Sequence, residues 1–172
     1  MTVRYSDFED LIHRMAASAS PAACRFFALD TLSRLDSCAR EAISEEFTEG
    51  EKALLDEVLG GLEQKPAEIL KQKFQNLDDS LHRDAIRAIE FDPKITDLLC
   101  AIDNWLAYRS TSDPEHIAHI AINMVNAIDY DIVGTVGGYS IENVLAAPEM
   151  LAEHERQWRL LAGSPMPRTT KS

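Results

Sequence analysis

From Phe8 to Leu161 the apolar residues of this chain recur at steps of three and four, and no stretch keeps a period of two for long enough to form a strand. An all-helical fold follows from that spacing, because side chains three and four apart share one face of a helix. Start signals punctuate the stripes. Ser6 with Glu9 and Thr48 with Glu51 have the spacing of capping boxes. Ser20-Pro21, Asp92-Pro93 and Asp113-Pro114 each put a capping side chain before a proline at the first helical position.

These signals predict one all-α domain over residues 1–162, a bundle of seven to nine helices, and a polar basic tail over 163–172 that trails into solvent. A long core helix starts at Pro21 and carries Cys24, Phe27, Leu32, Leu35, Ile43 and Phe47. A third stripe, Leu54 to Leu62, ends near Gly60 and Gly61. Pro66 opens a fourth with Ile69, Leu70, Phe74 and Leu77 inward, and Leu81, Ala85, Ile86 and Ile89 predict a fifth. Residues 93–108 and 114–134 read as an antiparallel hairpin at the centre of the bundle. Beyond the glycine-rich 134–140, a short helix covers about 141–146. Pro148 restarts the chain with Met150, Leu151, Trp158 and Leu161 inward, and Gly163 ends it.

A chain of 172 residues with 45% hydrophobic and 27% charged side chains can bury a sizeable core without disulfides or structural metal. Cys24, Cys38 and Cys100 make no CxxC pair and are expected as reduced fillers on core faces. The first fifteen residues contain Asp7, Glu9 and Asp10 and no apolar run, so neither a secretory leader nor an anchor is expected. No run reaches the roughly 18 apolar residues of a membrane span. The expected location is the cytoplasm.

Charge is distributed unevenly. The net charge of -12 is concentrated in residues 41–63, which sum to -7, and 95–155, which sum to -9, while 156–172 carry +4. Between Lys94 and Arg156 stand ten carboxylates and one basic side chain, Arg109. Such a surface repels phosphate backbones and anionic headgroups, which excludes direct nucleic-acid binding. A solvated helix usually mixes both signs, so a one-sign segment inside strongly helical stretches points to a positively charged partner. The competing reading is that the acidity serves solubility alone.

The helix predicted over 114–134 is apolar around most of its circumference. His116, His119, Asn123, Asn126 and Tyr130 share the narrow polar line that remains, which faces either a groove or a neighbouring helix whose polar groups it satisfies. Glu115, His116 and His119 have spacings that let side chains converge on an ion, but the chain has no HExxH and no pair of ExxH motifs. Gly134, Gly137 and Gly138 follow a helix rather than a strand and lack the Lys-Ser/Thr of a phosphate loop. No GxSxG elbow is present. The residues predict no catalytic site, no cofactor and no metal.

The positive features are acidic and aromatic. Asp97, Asn104 and Tyr108 share the side of their helix opposite Leu98, Leu99, Ile102 and Leu106, with Asp103 beside them, and Asp129 and Asp131 bracket Tyr130. Carboxylates around tyrosine and asparagine suit the binding of a basic protein, the aromatics anchoring and the charges steering. The predicted partner-binding set is Asp97, Asp103, Asn104, Tyr108, His119, Asn123, Asn126, Asp129, Tyr130 and Asp131.

In this character, small, acidic, helical and without a catalytic motif, the chain over residues 1–162 resembles the immunity proteins that protect bacteria from polymorphic, contact-delivered toxins. The resemblance implies an inhibitor that blocks a toxin's active site with acidic side chains or holds its fold distorted. Without a leader, it implies a cognate toxin acting in the cytosol: a nuclease, deaminase, NAD-consuming enzyme or ADP-ribosyltransferase. A monomer is favoured. One alternative is a regulatory or scaffolding helical protein, homodimeric through an apolar helix face. Another is a metal-dependent hydrolase using His116 and His119.

Overall fold

The computed structural model describes residues 5–84, 86–87, 90–136 and 141–163. Among them are eight helices and no strand: α1 (Tyr5–Ser18), α2 (Pro21–Glu46), α3 (Glu49–Gly61), α4 (Ala67–Leu81), α5 (Pro93–Thr111), α6 (Glu115–Val136), α7 (Ile141–Ala146) and α8 (Pro148–Ala162). The bundle of seven to nine helices is observed.

Local chemistry sets most of the starts. Ser20 Oγ accepts from Ala23 N at 3.1 Å, and Asp92 Oδ1 accepts from Lys94 N at 2.8 Å. Asp113 Oδ1 accepts from Glu115 N at 3.0 Å. Thr48 and Glu51 form the reciprocal box, with Thr48 N donating to Glu51 Oε2 at 2.8 Å and Glu51 N to Thr48 Oγ1 at 3.3 Å. Each bond satisfies a backbone N–H that the helix cannot pair internally. Ser6 is different: α1 already begins at Tyr5, so Ser6 lies inside the helix.

α3 ends at Gly61, where the glycines predicted it, although its C-cap is Leu62 in a right-handed conformation rather than a left-handed glycine. Gly61 also serves packing. A Cβ there would stand 2.7 Å from Lys65 Cδ and 2.8 Å from Leu70 Cδ2, so the missing side chain lets α3 and α4 approach each other. Of the predicted fifth helix, Leu81 is the buried last residue of α4 and Ile86 is 72% exposed rather than inward. Ala85 and Ile89 lie outside the described residues, as do 164–172 of the expected tail. Finally, α5 and α6 extend past the predicted 93–108 and 114–134.

The α5–α6 hairpin is the most extensive helix pair, and α2 packs on both of its members. Ser112, left-handed at φ 59°, closes α5, its N–H donating to Tyr108 O at 2.7 Å. Phe27, Leu32, Leu35, Leu98, Ile102 and Trp105 fill the shared interior. Trp105 Nε1 donates to Leu62 O at 3.0 Å, and Arg109 Nη1 reaches Leu62 O and Lys65 O at 3.3 and 2.6 Å. These three bonds hold the α3–α4 connection against α5 by satisfying its free carbonyls.

At the other end of the chain, α8 closes the bundle with polar residues as well as apolar ones. Met150 and Leu161 are buried as expected, but Leu151 is 52% exposed, while Glu153, His154, Arg156 and Gln157 are all buried. None of the described helices is long and apolar enough to cross a membrane.

Candidate partner-binding surface

The polar line of α6 meets α5 at Asp97. Its Oδ1 accepts from Asn123 Nδ2 at 2.9 Å and from Asn126 Nδ2 at 3.4 Å, and the residue is only 6% exposed. Asp97 therefore does not sit on an outward face. It belongs with Ala101 and Asn104 on the side of α5 that packs against α6, and Ala101 is fully buried there. An apolar stripe in a sequence marks one packed side of a helix, whereas α5 has two. Burial raises the pKa of the Asp97 carboxyl, with the two amide bonds opposing it.

The seam absorbs further members of the predicted set. His116 Nδ1 lies 3.0 Å from Asn104 Oδ1, and the Asn104 amide donates back to Cys100 O at 2.9 Å. Tyr108 turns towards α2: its ring stacks on Trp105 with centroids 5.8 Å apart, and its hydroxyl lies beside the Cys24 thiol. His119, half-buried, packs edge-on against His13 of α1 at 5.6 Å. The polar line of α6 thus meets neighbouring helices, the second of its two expected fates, with His116, Asn123 and Asn126 against α5 and His119 against α1. Among the described residues no three His, Cys, Asp or Glu side chains are grouped to hold a metal ion.

Asp97 Oδ2 and Asn123 Oδ1 are buried without a hydrogen-bond partner. Two acceptors therefore face a seam short of donors, a cost of about 1–3 kcal/mol for each such group. Asp97→Asn supplies a donor and removes the buried charge while preserving shape. The expected outcome is a gain of about 1 kcal/mol in urea unfolding at neutral pH. A loss of stability would show instead that the carboxylate itself is needed at this seam.

What remains outward lies along the C-terminal half of α6 and on α5. Tyr130 is 46% exposed and Val133 37%. Asp129 is half-buried, its Oδ1 has no hydrogen-bond partner, and burial raises its pKa. The Tyr130 hydroxyl is likewise raised, by burial first and then by the negative charges of Asp97, Asp129 and Asp92. Three carboxylates thus act on one exposed tyrosine. Asp131 is ion-paired with Lys94, and Asp103 is exposed on α5.

No family model, curated protein or solved structure matches this chain.

A second concave feature was not apparent in the sequence. A cleft of about 390 Å³ opens between α4 and α5, with Phe74, Phe91 and Leu99 half-buried along it, Cys100 exposed, and Asp78 and Asp103 among its lining residues. Cys100 was expected on a core face. On the rim of the cleft Asp78 and His82 form an i,i+4 pair, with ring Nδ1 and Oδ1 3.1 Å apart.

Within the acidic stretch 41–63, Glu46 and Glu51 at the α2–α3 junction are structural. Glu51, 3% exposed, accepts from Arg87 Nη1 at 2.9 Å, Arg87 Nη2 at 2.6 Å and Ser80 Oγ at 3.0 Å. The Arg87 bonds hold its pKa down at about 2, against the opposing effect of burial. Glu46 accepts from Asp92 N at 3.2 and 3.3 Å. Glu49 pairs with Lys52 at 3.0 Å.

Proposed function

We propose that this protein binds a basic protein partner through the acidic, aromatic edge formed by Tyr130, Asp129 and Val133, and that it acts as a cytoplasmic immunity-type inhibitor of a toxin. The observation that carries this reading is the exposed Tyr130 under the field of Asp97, Asp129 and Asp92. A half-exposed tyrosine supplies area at low entropic cost, and surrounding carboxylates draw in a cationic surface and repel an anionic one. Over residues 93–136 six carboxylates stand against Lys94 and Arg109, which extends that field over the hairpin. Asp97, Asn104, Asn123 and Asn126 support this edge from beneath by fixing α5 against α6, and the cognate protein does not touch them.

The test is a survival assay. The product of the adjacent reading frame is expressed in cells with and without this chain, and survival only in its presence is the expected result. Tyr130→Ala combined with Asp129→Lys should abolish protection and slow association about 10- to 100-fold at low salt. Protection that persists undiminished in the double variant would overturn the edge. A neighbouring product that is harmless alone would overturn the inhibitor reading.

A further inference from the structure

The α4–α5 cleft combines features that solubility does not require. Its floor is apolar: Phe74, Phe91 and Leu99 are only partly buried although they pack against the core. Past Phe91, in an adjoining hollow, stands Ile86, the most exposed large hydrophobic residue among those described, at 72%. Exposed apolar residues grouped along a cleft with a polar rim mark an interaction site.

The rim is acidic. Asp78 and Asp103 line the cleft, and Asp84 and Glu90 line the adjoining hollow around Phe91. One fixed cation, Arg87, and one histidine, His82, line the same surface, and both are engaged. His82 rests on Asp78, and Arg87 is held by both oxygens of Glu51 and by Glu46 O at 2.7 Å while its guanidinium lies 5.4 Å over the Phe91 ring. The rim therefore presents more negative charge than its own cations neutralise. An apolar floor beneath excess carboxylates complements a helix with leucine-like side chains on one face and lysine or arginine beside them.

We infer that the α4–α5 cleft seats a basic amphipathic helix contributed by the partner protein, with two or three apolar side chains inserted over Phe74, Leu99 and Phe91 and flanking cations on Asp78 and Asp103. A volume of about 390 Å³ lies within the range of pockets that bind organic groups, about 300–1,000 Å³. The identity of the occupant rests on the proposal of a basic partner. Its place rests on the cleft alone.

Cys100 supplies a local reporter, because it is exposed within the cleft while Cys24 is buried and Cys38 half-buried. The probe is a helical peptide of about 15 residues with leucines at i, i+3, i+4 and i+7 and lysines elsewhere, compared with the same peptide carrying glutamates for lysines. Binding of the lysine peptide, read by fluorescence anisotropy, should slow N-ethylmaleimide alkylation of Cys100, located by peptide mapping. The glutamate peptide should do neither. Asp78→Lys with Asp103→Lys should weaken binding about tenfold or more, and Cys100→Trp should abolish it by filling the cleft without changing charge.

Binding that leaves Cys100 alkylation unchanged, or that survives both variants, overturns the proposal. So does protection of Cys100 that rises with protein concentration in the absence of peptide, since the occupant is then a second copy of this chain. A positive peptide result alongside a harmless neighbouring gene product keeps the cleft and discards the inhibitor. The reverse pattern keeps the inhibitor and discards the cleft.

Discussion

Arg156→Ala is expected to destabilise the fold by about 3–5 kcal/mol, the cost of leaving a buried partner charge uncompensated. Arg156 is 4% exposed, and all three of its guanidinium nitrogens donate hydrogen bonds. Nε and Nη2 donate to Glu153 at 2.9 and 2.7 Å, Nη2 also to Thr31 Oγ1 at 2.9 Å, and Nη1 to Asp30 Oδ2 at 2.6 Å. The same group lies 5.2 Å over the Phe27 ring. Glu153 accepts in addition from Gln157 Nε2 at 2.8 Å, and Gln157 Nε2 reaches Ala121 O on α6 at 3.1 Å. One side chain thus ties α8 to α2, and its carboxylate partner passes the restraint to α6. Urea unfolding measures the loss. The double replacement Arg156→Met with Glu153→Met should cost less than Arg156→Ala alone, because both buried charges leave together. If the double variant is the less stable of the two, the network contributes more than mutual compensation.

Acid should lower the stability of this protein across two pH windows that belong to two different residues. His154, 8% exposed, has its ring stacked on Phe8 with centroids 3.8 Å apart and its Nε2 without a hydrogen-bond partner. Burial lowers its pKa from 6.5 to about 4, with the charge of Glu153 opposing the shift. The fold therefore prefers neutral His154. Its contribution is complete above about pH 6.5 and declines as pH falls towards 4, a loss of about 3 kcal/mol by linkage.

Glu51 works in the next window. Its pKa falls from 4.5 to about 2, so the stability from its ionised form is present above about pH 4.5 and is lost as pH falls through about 2. Urea midpoints measured at intervals from pH 7 to pH 2 should fall across both windows. His154→Leu should flatten the upper one and leave the lower. Glu51→Gln should lower stability at neutral pH, by stranding Arg87, and flatten the lower one. A wild-type midpoint that stays constant between pH 7 and pH 5 would sink the His154 assignment.

Much of the architecture was legible from residues alone because it is local. Capping side chains at Ser20, Thr48, Asp92 and Asp113 act on N–H groups two or three positions away, and prolines 21, 93 and 148 set the backbone angle of the helices they open. Spacing of apolar residues then identified the interior faces of α2 and α5. Reading failed where a neighbour decides. Ile69 and Leu151 read as inward but are 49% and 52% exposed, and Arg156, which carried no signal in the spacing, is buried because Glu153, Asp30 and Thr31 converge on it.

The candidate site follows the same division. Tyr130, Asp129 and Asp103 stayed on the outside, whereas Asp97, Asn104, Tyr108 and His119 found partners on other helices. Helical phase places those side chains on a common arc, and it carries no information about how many neighbours that arc will meet. The chain by itself determined that this protein is an acidic bundle of capped helices, since both charge and capping are properties of residues a few positions apart. Only the packing of α5 between α2, α4 and α6 decided which carboxylates were sealed into a seam and which were left to line an open cleft, because burial depends on surfaces brought together from distant parts of the chain.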